Sequence, residues 1–399
     1  MKISTRLTNL PASPIRKLVP YSLQAKNRGI VVHHLNIGDP DIKTPKVILD
    51  KLKQWDTNPV CYGHSQGTPE LVRTVRDYYH QIGFPFVRNE HIQITVGGSE
   101  AISMVLFAVT EPGDEVIVFE PYYTNYASFA HINGITIVPI TTFAKDGFHL
   151  PDISVIEQSI TLKTKAILIC NPNNPTGTVY TQEELAQLAA LACKHGLFLI
   201  SDEVYREFVY ENNTHYSALT HAEASPDTIV VIDSFSKRAS LCGARVGMIV
   251  SLNTKLMEGI LRYAQARLSA GLIDQWMASE FSAVPKEYFQ EVNAEYQKRR
   301  DVLFAGLCKI PGVFVKKPEG AFYMVVDLPV IDAEDFCKWL LTDFDDQGET
   351  VMLAPAQGFY ATKGLGVNQV RIAYVLEVPK LKRSVEILKK ALQTYNAGR

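Results

Sequence analysis

Between Lys165 and Lys237 the chain alternates short apolar runs with one amphipathic stretch, a pattern that few folds can accommodate. Ala166 to Cys170, Leu197 to Ser201 and Thr228 to Asp233 each read as a buried strand of a wound α/β sheet. Thr181-Gln-Glu-Glu184 opens a helix with a capping box, Leu185, Leu188, Ala189 and Ala192 recur on one of its faces, and Gly196 ends it. Asp202 and the Ser234 to Lys237 segment then fall at strand carboxyl ends. In a parallel sheet those ends form one ligand crevice, so the two segments can face one site although 35 positions separate them (237 minus 202).

Upstream, His91 to Val96 reads as another strand, running through Gly97-Gly-Ser-Glu-Ala101 into a helix. Two glycines let a backbone approach an anion closely, and the first N–H groups of the helix point at it. After about Pro285 the character changes to a charged helix, Glu287 to Leu307, then a strand beginning Gly320-Ala-Phe-Tyr323, then a closing helix from Val378. A chain of 399 residues is longer than one core usually supports. We expect a large domain over 46–284 and a smaller one made of 1–45 with 285–399.

Charge and cysteine usage narrow the function classes. With 40 Lys+Arg against 42 Asp+Glu there is no basic field to attract nucleic acid or an anionic membrane, which favours small-molecule substrates. The six cysteines are dispersed without a C-x-x-C pair, so neither a zinc cluster nor a disulfide framework is expected. No apolar run reaches the roughly twenty residues of a membrane helix, and Met1 to Lys17 lacks the core of a secretory signal, so a soluble, cytoplasmic protein is expected. A nicotinamide-binding dehydrogenase would carry a Gly-x-Gly-x-x-Gly fingerprint, which is absent.

Several residues suit chemistry at the crevice. Lys237 lies in Ser234-Phe-Ser-Lys-Arg238, eight positions before Arg245 in Gly243-Ala-Arg-Val-Gly247, so a reactive amine would sit beside an anion site formed by Ser234, Ser236 and Arg245. Asp202, in Ile200-Ser-Asp-Glu-Val-Tyr205, can keep a ring nitrogen protonated, because a nearby negative charge raises a cation's pKa. Asn174, in the turn Asn171 to Gly177, and Tyr205 can donate to an oxygen on the same ring. Taken alone, an aspartate after a strand is usually a loop residue and a lysine usually a solvated charge; in one crevice they make a constellation.

These segments, together with Asn36-Ile-Gly-Asp-Pro-Asp41, Tyr62-Gly63, Pro121-Tyr-Tyr-Thr-Asn-Tyr126 and Arg371 in Gln369-Val-Arg-Ile-Ala-Tyr374, resemble the class I/II aminotransferases of fold type I, of the aspartate type, from about Leu35 onward. The resemblance implies a mostly parallel sheet of the seven-stranded type between helices, a smaller α+β domain, and pyridoxal 5'-phosphate bound as an imine to Lys237. It implies amino acid and 2-oxo acid substrates, with aspartate or a broad range of donors passing the amino group to 2-oxoglutarate. Lys237 then moves the proton while Asp202 and Tyr205 tune the ring. Gly98, Ser99 and Glu100 join the phosphate cradle, Tyr123 stacks on the ring, and Gly38 and Asn174 help Arg371 hold the α-carboxylate. Tyr62 reaches the phosphate of a neighbouring subunit, which implies a homodimer with shared sites.

The resemblance loosens in two places. Pro355-Ala-Gln-Gly-Phe359 moves a glycine of the family's pattern, and Ser99 stands where some aspartate-using relatives have lysine, which makes Arg267 a candidate reader of a distal carboxylate. A carbon–sulfur β-lyase is the alternative chemistry on this fold. A non-catalytic cofactor-binding regulator is disfavoured, because every chemical position is filled.

Overall fold

The computed structural model describes residues 1–11 and 13–398. Its strands, in chain order, are β1 (Val31–His34), β2 (Ile92–Val96), β3 (Glu115–Glu120), β4 (Thr136–Thr141), β5 (Thr164–Cys170), β6 (Phe198–Asp202), β7 (Ile229–Ser234), β8 (Val246–Val250), β9 (Phe314–Val315), β10 (Tyr323–Asp327), β11 (Glu349–Met352), β12 (Ala354–Pro355) and β13 (Gln369–Ala373). Seven of them form one sheet in the order β2-β8-β7-β6-β5-β3-β4. Only β8 runs antiparallel to its neighbours β7 and β2, so β2, β5, β6 and β7 all end on the same edge.

Both faces of this sheet are covered, as its composition requires. Along β3, Val116 and Val118 enter one core while Ile117 and Phe119 enter the other. The period of two therefore sorts apolar residues between layers instead of between core and water. One layer is the helix Gly97–Val109, which buries Ala101, Ile102, Met104 and Val105. The opposite layer includes the helix Gln182–His195, which begins at the Thr181–Glu184 capping box, ends at Gly196 in the left-handed conformation, and buries Leu185, Leu188, Ala189 and Ala192. Each leucine so buried contributes ~1.5–3 kcal/mol.

The carboxyl-terminal part forms a second sheet, β12-β13-β10-β9, flanked by the helices Lys286–Leu307 and Val378–Ala397. The amino-terminal segment joins it directly: β1 pairs in parallel with β11, and the helix Val19–Asn27 packs on Ala333–Thr342. Asp202 and Ser234 are the last residues of β6 and β7, each strand running one residue further than expected; Asp202 still pairs with Cys170 on one side and Ile232 on the other. Among the described residues no helix is long and apolar enough to cross a membrane.

Candidate active site

At the carboxyl edge of the large sheet lies a cavity of about 500 Å³. The expected residues Gly38, Gly98, Ser99, Tyr123, Asn174, Asp202, Tyr205, Ser234, Ser236, Lys237, Arg245 and Arg371 all line it. The sheet explains the convergence of Asp202 with the lysine segment, since β6 and β7 are neighbours and both strands end there.

Lys237 sits in a single helical turn, Phe235–Arg238, whose start is capped by the Ser234 hydroxyl. Its Nζ donates to the Gly38 carbonyl at 2.9 Å and lies 3.5 Å from Cys242 Sγ. The next side chain points the other way: Arg238 is buried and paired with Asp233. This turn thus has an anchored side and a working side.

Asp202 is 3% exposed and accepts from Tyr126 Oη at 2.7 Å and from the Val204 N–H at 3.4 Å. Burial pushes its carboxyl up to about 6 against the lowering effect of the Tyr126 hydrogen bond. Tyr205 Oη lies 3.0 Å from Tyr323 Oη and 3.5 Å from Asn174 Nδ2, and burial raises its pKa well above the ordinary value. Burial likewise raises the Tyr123 phenol to about 12, and Asn125 Nδ2 donates to it at 2.8 Å.

Anion chemistry gathers at the start of the helix Gly97–Val109. Gly97 has φ +71°, a backbone conformation that favours glycine, and a Cβ there would lie 2.4 Å from Arg245 Nη2, so the guanidinium sits close to the helix start. Arg245 itself is left-handed at φ +51°, and its Nη1 donates to the Cys242 carbonyl at 2.9 Å. Ser234 Oγ and Ser236 Oγ are 2.8 Å apart beside it. Helix N–H groups, two hydroxyls and a guanidinium form a donor set for a phosphate.

Arg371 is 2% exposed, donates to Asn174 Oδ1 at 3.1 Å and to the Asn36 carbonyl at 2.5 Å, and has a buried Nε with no hydrogen-bond partner. Burial lowers its pKa, and among the described residues no carboxylate pairs with it. A buried guanidinium with a free donor at a cavity wall is suited to an incoming carboxylate.

Two expectations are corrected. Glu100 does not line the cavity, because its carboxylate accepts from the Val96 N–H at 2.7 Å and lies 3.5 Å from Arg267. Arg267 is held by that same carboxylate and by the Ile94 carbonyl at 2.8 Å, outside the lining. Gly38 lines the cavity with Arg371 and its carbonyl accepts from Lys237 Nζ, while the Asn36 carbonyl accepts from Arg371. Tyr62 lies outside the cavity and is 80% exposed.

Four contributors were not anticipated: Tyr126, Tyr323, Cys242 and the Ser13–Arg16 stretch. Tyr323 explains Gly38, since a Cβ at position 38 would stand 1.8 Å from its hydroxyl oxygen. Tyr126 was in view within Pro121-Tyr-Tyr-Thr-Asn-Tyr126, but its partner Asp202 lies 76 positions on.

Residues 31–388 match the family model of aminotransferase class I and II. The chain is 30% identical to the aspartate aminotransferase of Pyrococcus horikoshii over 98% of its length and 97% of the relative's. Among solved structures it is similar to aspartate aminotransferase from Thermus thermophilus with maleate, at a TM-score of 0.89 and 27% identity, covering 98% of this chain and all of that one. The alanine aminotransferase of Pyrococcus furiosus matches with the same TM-score, identity and coverage.

Proposed function

Since the chain belongs to the class I and II aminotransferases and is an amino acid:2-oxo acid aminotransferase, we propose that it works with pyridoxal 5'-phosphate on Lys237, with aspartate the favoured donor and 2-oxoglutarate the acceptor. The observation that carries the cofactor is Asp202, a buried carboxylate raised to about 6 by its burial, beside an anion cradle and an accessible lysine. When bound, pyridoxal phosphate supplies an aldehyde that condenses with amines and a ring that takes up the electron pair left at the substrate α-carbon.

The chain's own residues divide the remaining work. Arg371 binds and orients the α-carboxylate, with its Nη1 and Nη2 already held by Asn174 and the Asn36 carbonyl. Lys237 Nζ is the base that takes the α-proton and returns it, from a position steered by the Gly38 carbonyl. Asp202, oriented by Tyr126, would keep the ring nitrogen protonated; Tyr205 and Asn174 would donate to the ring oxygen, and Tyr123 would flank the ring. Ser99, Ser236, Arg245 and the Gly98 N–H would hold the phosphate, with Ser234 keeping Ser236 in place.

We further assign 46–284 to the cofactor-binding domain and 1–45 with 285–399 to the smaller one, which the β1–β11 pairing supports. A homodimer is supported by the exposed Tyr62 and the exposed apolar Val60 two positions before it. Free surface thiols at Cys61, Cys193 and Cys308 suit a cytoplasmic setting. Visible absorption of the protein loaded with pyridoxal phosphate tests the reading: the cofactor band should bleach on adding aspartate and return with 2-oxoglutarate. Pyruvate accumulating from a cysteine-type substrate without that cycle would indicate a β-lyase, and no cofactor band at all would refute the reading.

A further inference from the structure

Four cations line the cavity, and three of them have work in the reading above: Lys237, Arg245 and Arg371. The fourth is Arg16, in Ser13-Pro-Ile-Arg16, close enough to Tyr123 for its charge to act on that phenol. Its neighbour Lys17 is paired with Glu334. Arg16, by contrast, has no ion pair and no side-chain hydrogen bond among the described residues.

The backbone that presents Arg16 is closely held. Pro14 packs on Gly358, where an added Cβ would lie 2.5 Å from a proline carbon, and Leu18 is buried. The Ile15 carbonyl accepts from Asn36 Nδ2 at 3.3 Å, while the carbonyl of the same Asn36 accepts from Arg371. One residue therefore ties the arginine assigned to the α-carboxylate to the segment that carries the spare cation. The other candidate for a distal charge, Arg267, is engaged with Glu100 and the Ile94 carbonyl away from the lining.

We propose that Arg16 binds the second carboxylate of a dicarboxylic substrate and so determines the preference for four- and five-carbon diacids. This rests on the aminotransferase reading, in which Arg371 takes the first carboxylate. A guanidinium can meet a carboxylate through two parallel N–H bonds, whereas an alanine or phenylalanine side chain offers it nothing to bind.

The test compares the holoenzyme with its Arg16→Gln and Arg16→Lys variants. The ratio of kcat/KM for aspartate and glutamate over that for alanine and phenylalanine should fall ~10- to 100-fold in Arg16→Gln. Succinate binding, measured by calorimetry, should weaken by a similar factor, and Arg16→Lys should retain part of both. A ratio within about twofold of the parent in Arg16→Gln overturns the proposal, whether both activities fall or neither does. A parent enzyme that transaminates only monocarboxylic donors also overturns it while leaving the aminotransferase reading intact; one that transaminates nothing removes both.

Discussion

Two halves of the cavity are assembled by different means. On the sheet edge, Asp202, Ser234 and the Lys237 turn are set by strands in register, Cys170 against Asp202 against Ile232, with Arg238 and Asp233 buried beneath. Elsewhere around the cavity, Arg16, Asn36, Tyr323 and Arg371 come from segments as much as 355 positions apart (371 minus 16). The contacts among them that bear on the site are largely made by side chains, such as Asn36 Nδ2 to the Ile15 carbonyl, Arg371 to Asn174 and Tyr205 to Tyr323. A backbone ladder holds a group in one place because each neighbour repeats the constraint, which suits proton transfer. Single side-chain contacts can be exchanged one at a time, which suits selection of substrates.

The comparison is tested most severely by Lys237→Ala. That variant should lose the cofactor–lysine absorption and at least ~10⁴-fold in turnover for every donor alike, because it removes the proton carrier that all share. A loss confined to one donor class would assign the lysine to selection and break the division.

Asp202→Asn sharpens the sheet-edge half through pH. The folded, cofactor-free protein holds this carboxyl at about 6, above its ordinary 3.8. Between those values the folded state binds more protons than the unfolded one, so this carboxyl's own contribution to stability is fully present below pH ~4 and is lost as pH rises through ~6, a change on the order of 3 kcal/mol. The asparagine variant cannot ionise. Its denaturation midpoint should be flatter than the parent's from pH 4 to 6 while kcat/KM drops ~10²-fold for all donors; an unchanged pH profile of stability would show that Asp202 is already charged in the folded protein.

Tyr323→Phe should have the smallest effect. It removes the hydroxyl 3.0 Å from Tyr205 and costs about 1 kcal/mol, or roughly fivefold in kcat/KM. A uniform loss across donors would tie Tyr323 to the ring-facing Tyr205, and a donor-dependent one would move it to the selecting half.

The legibility of the site follows the same division. The strand-and-helix rhythm from Lys165 to Lys237 and the Thr181 capping box are local signals, and the elements formed where they point, within two residues. Asp202 and Lys237 could be brought together on paper because strand polarity alone places consecutive carboxyl ends side by side. Glu100 shows where that reasoning stops. Its place in a glycine-rich turn suggested the cradle, yet its side chain has a nearer cation in Arg267 and a free N–H at Val96, and both lie off the cavity.

By itself the sequence determined the wound α/β sheet and the lysine, aspartate and serines at its edge, because each rests on short-range periodicity or on a compact motif; Arg371 was reached only through the family resemblance. Only the tertiary structure decided that Tyr126 orients Asp202, that Tyr323 occupies the space a side chain at Gly38 would need, and that the Ser13–Arg16 stretch lines the cavity. Those contacts join residues whose separation along the chain is unrelated to their separation in space. No period or spacing encodes them, and they exist only once two sheets and an amino-terminal segment have packed around one cavity.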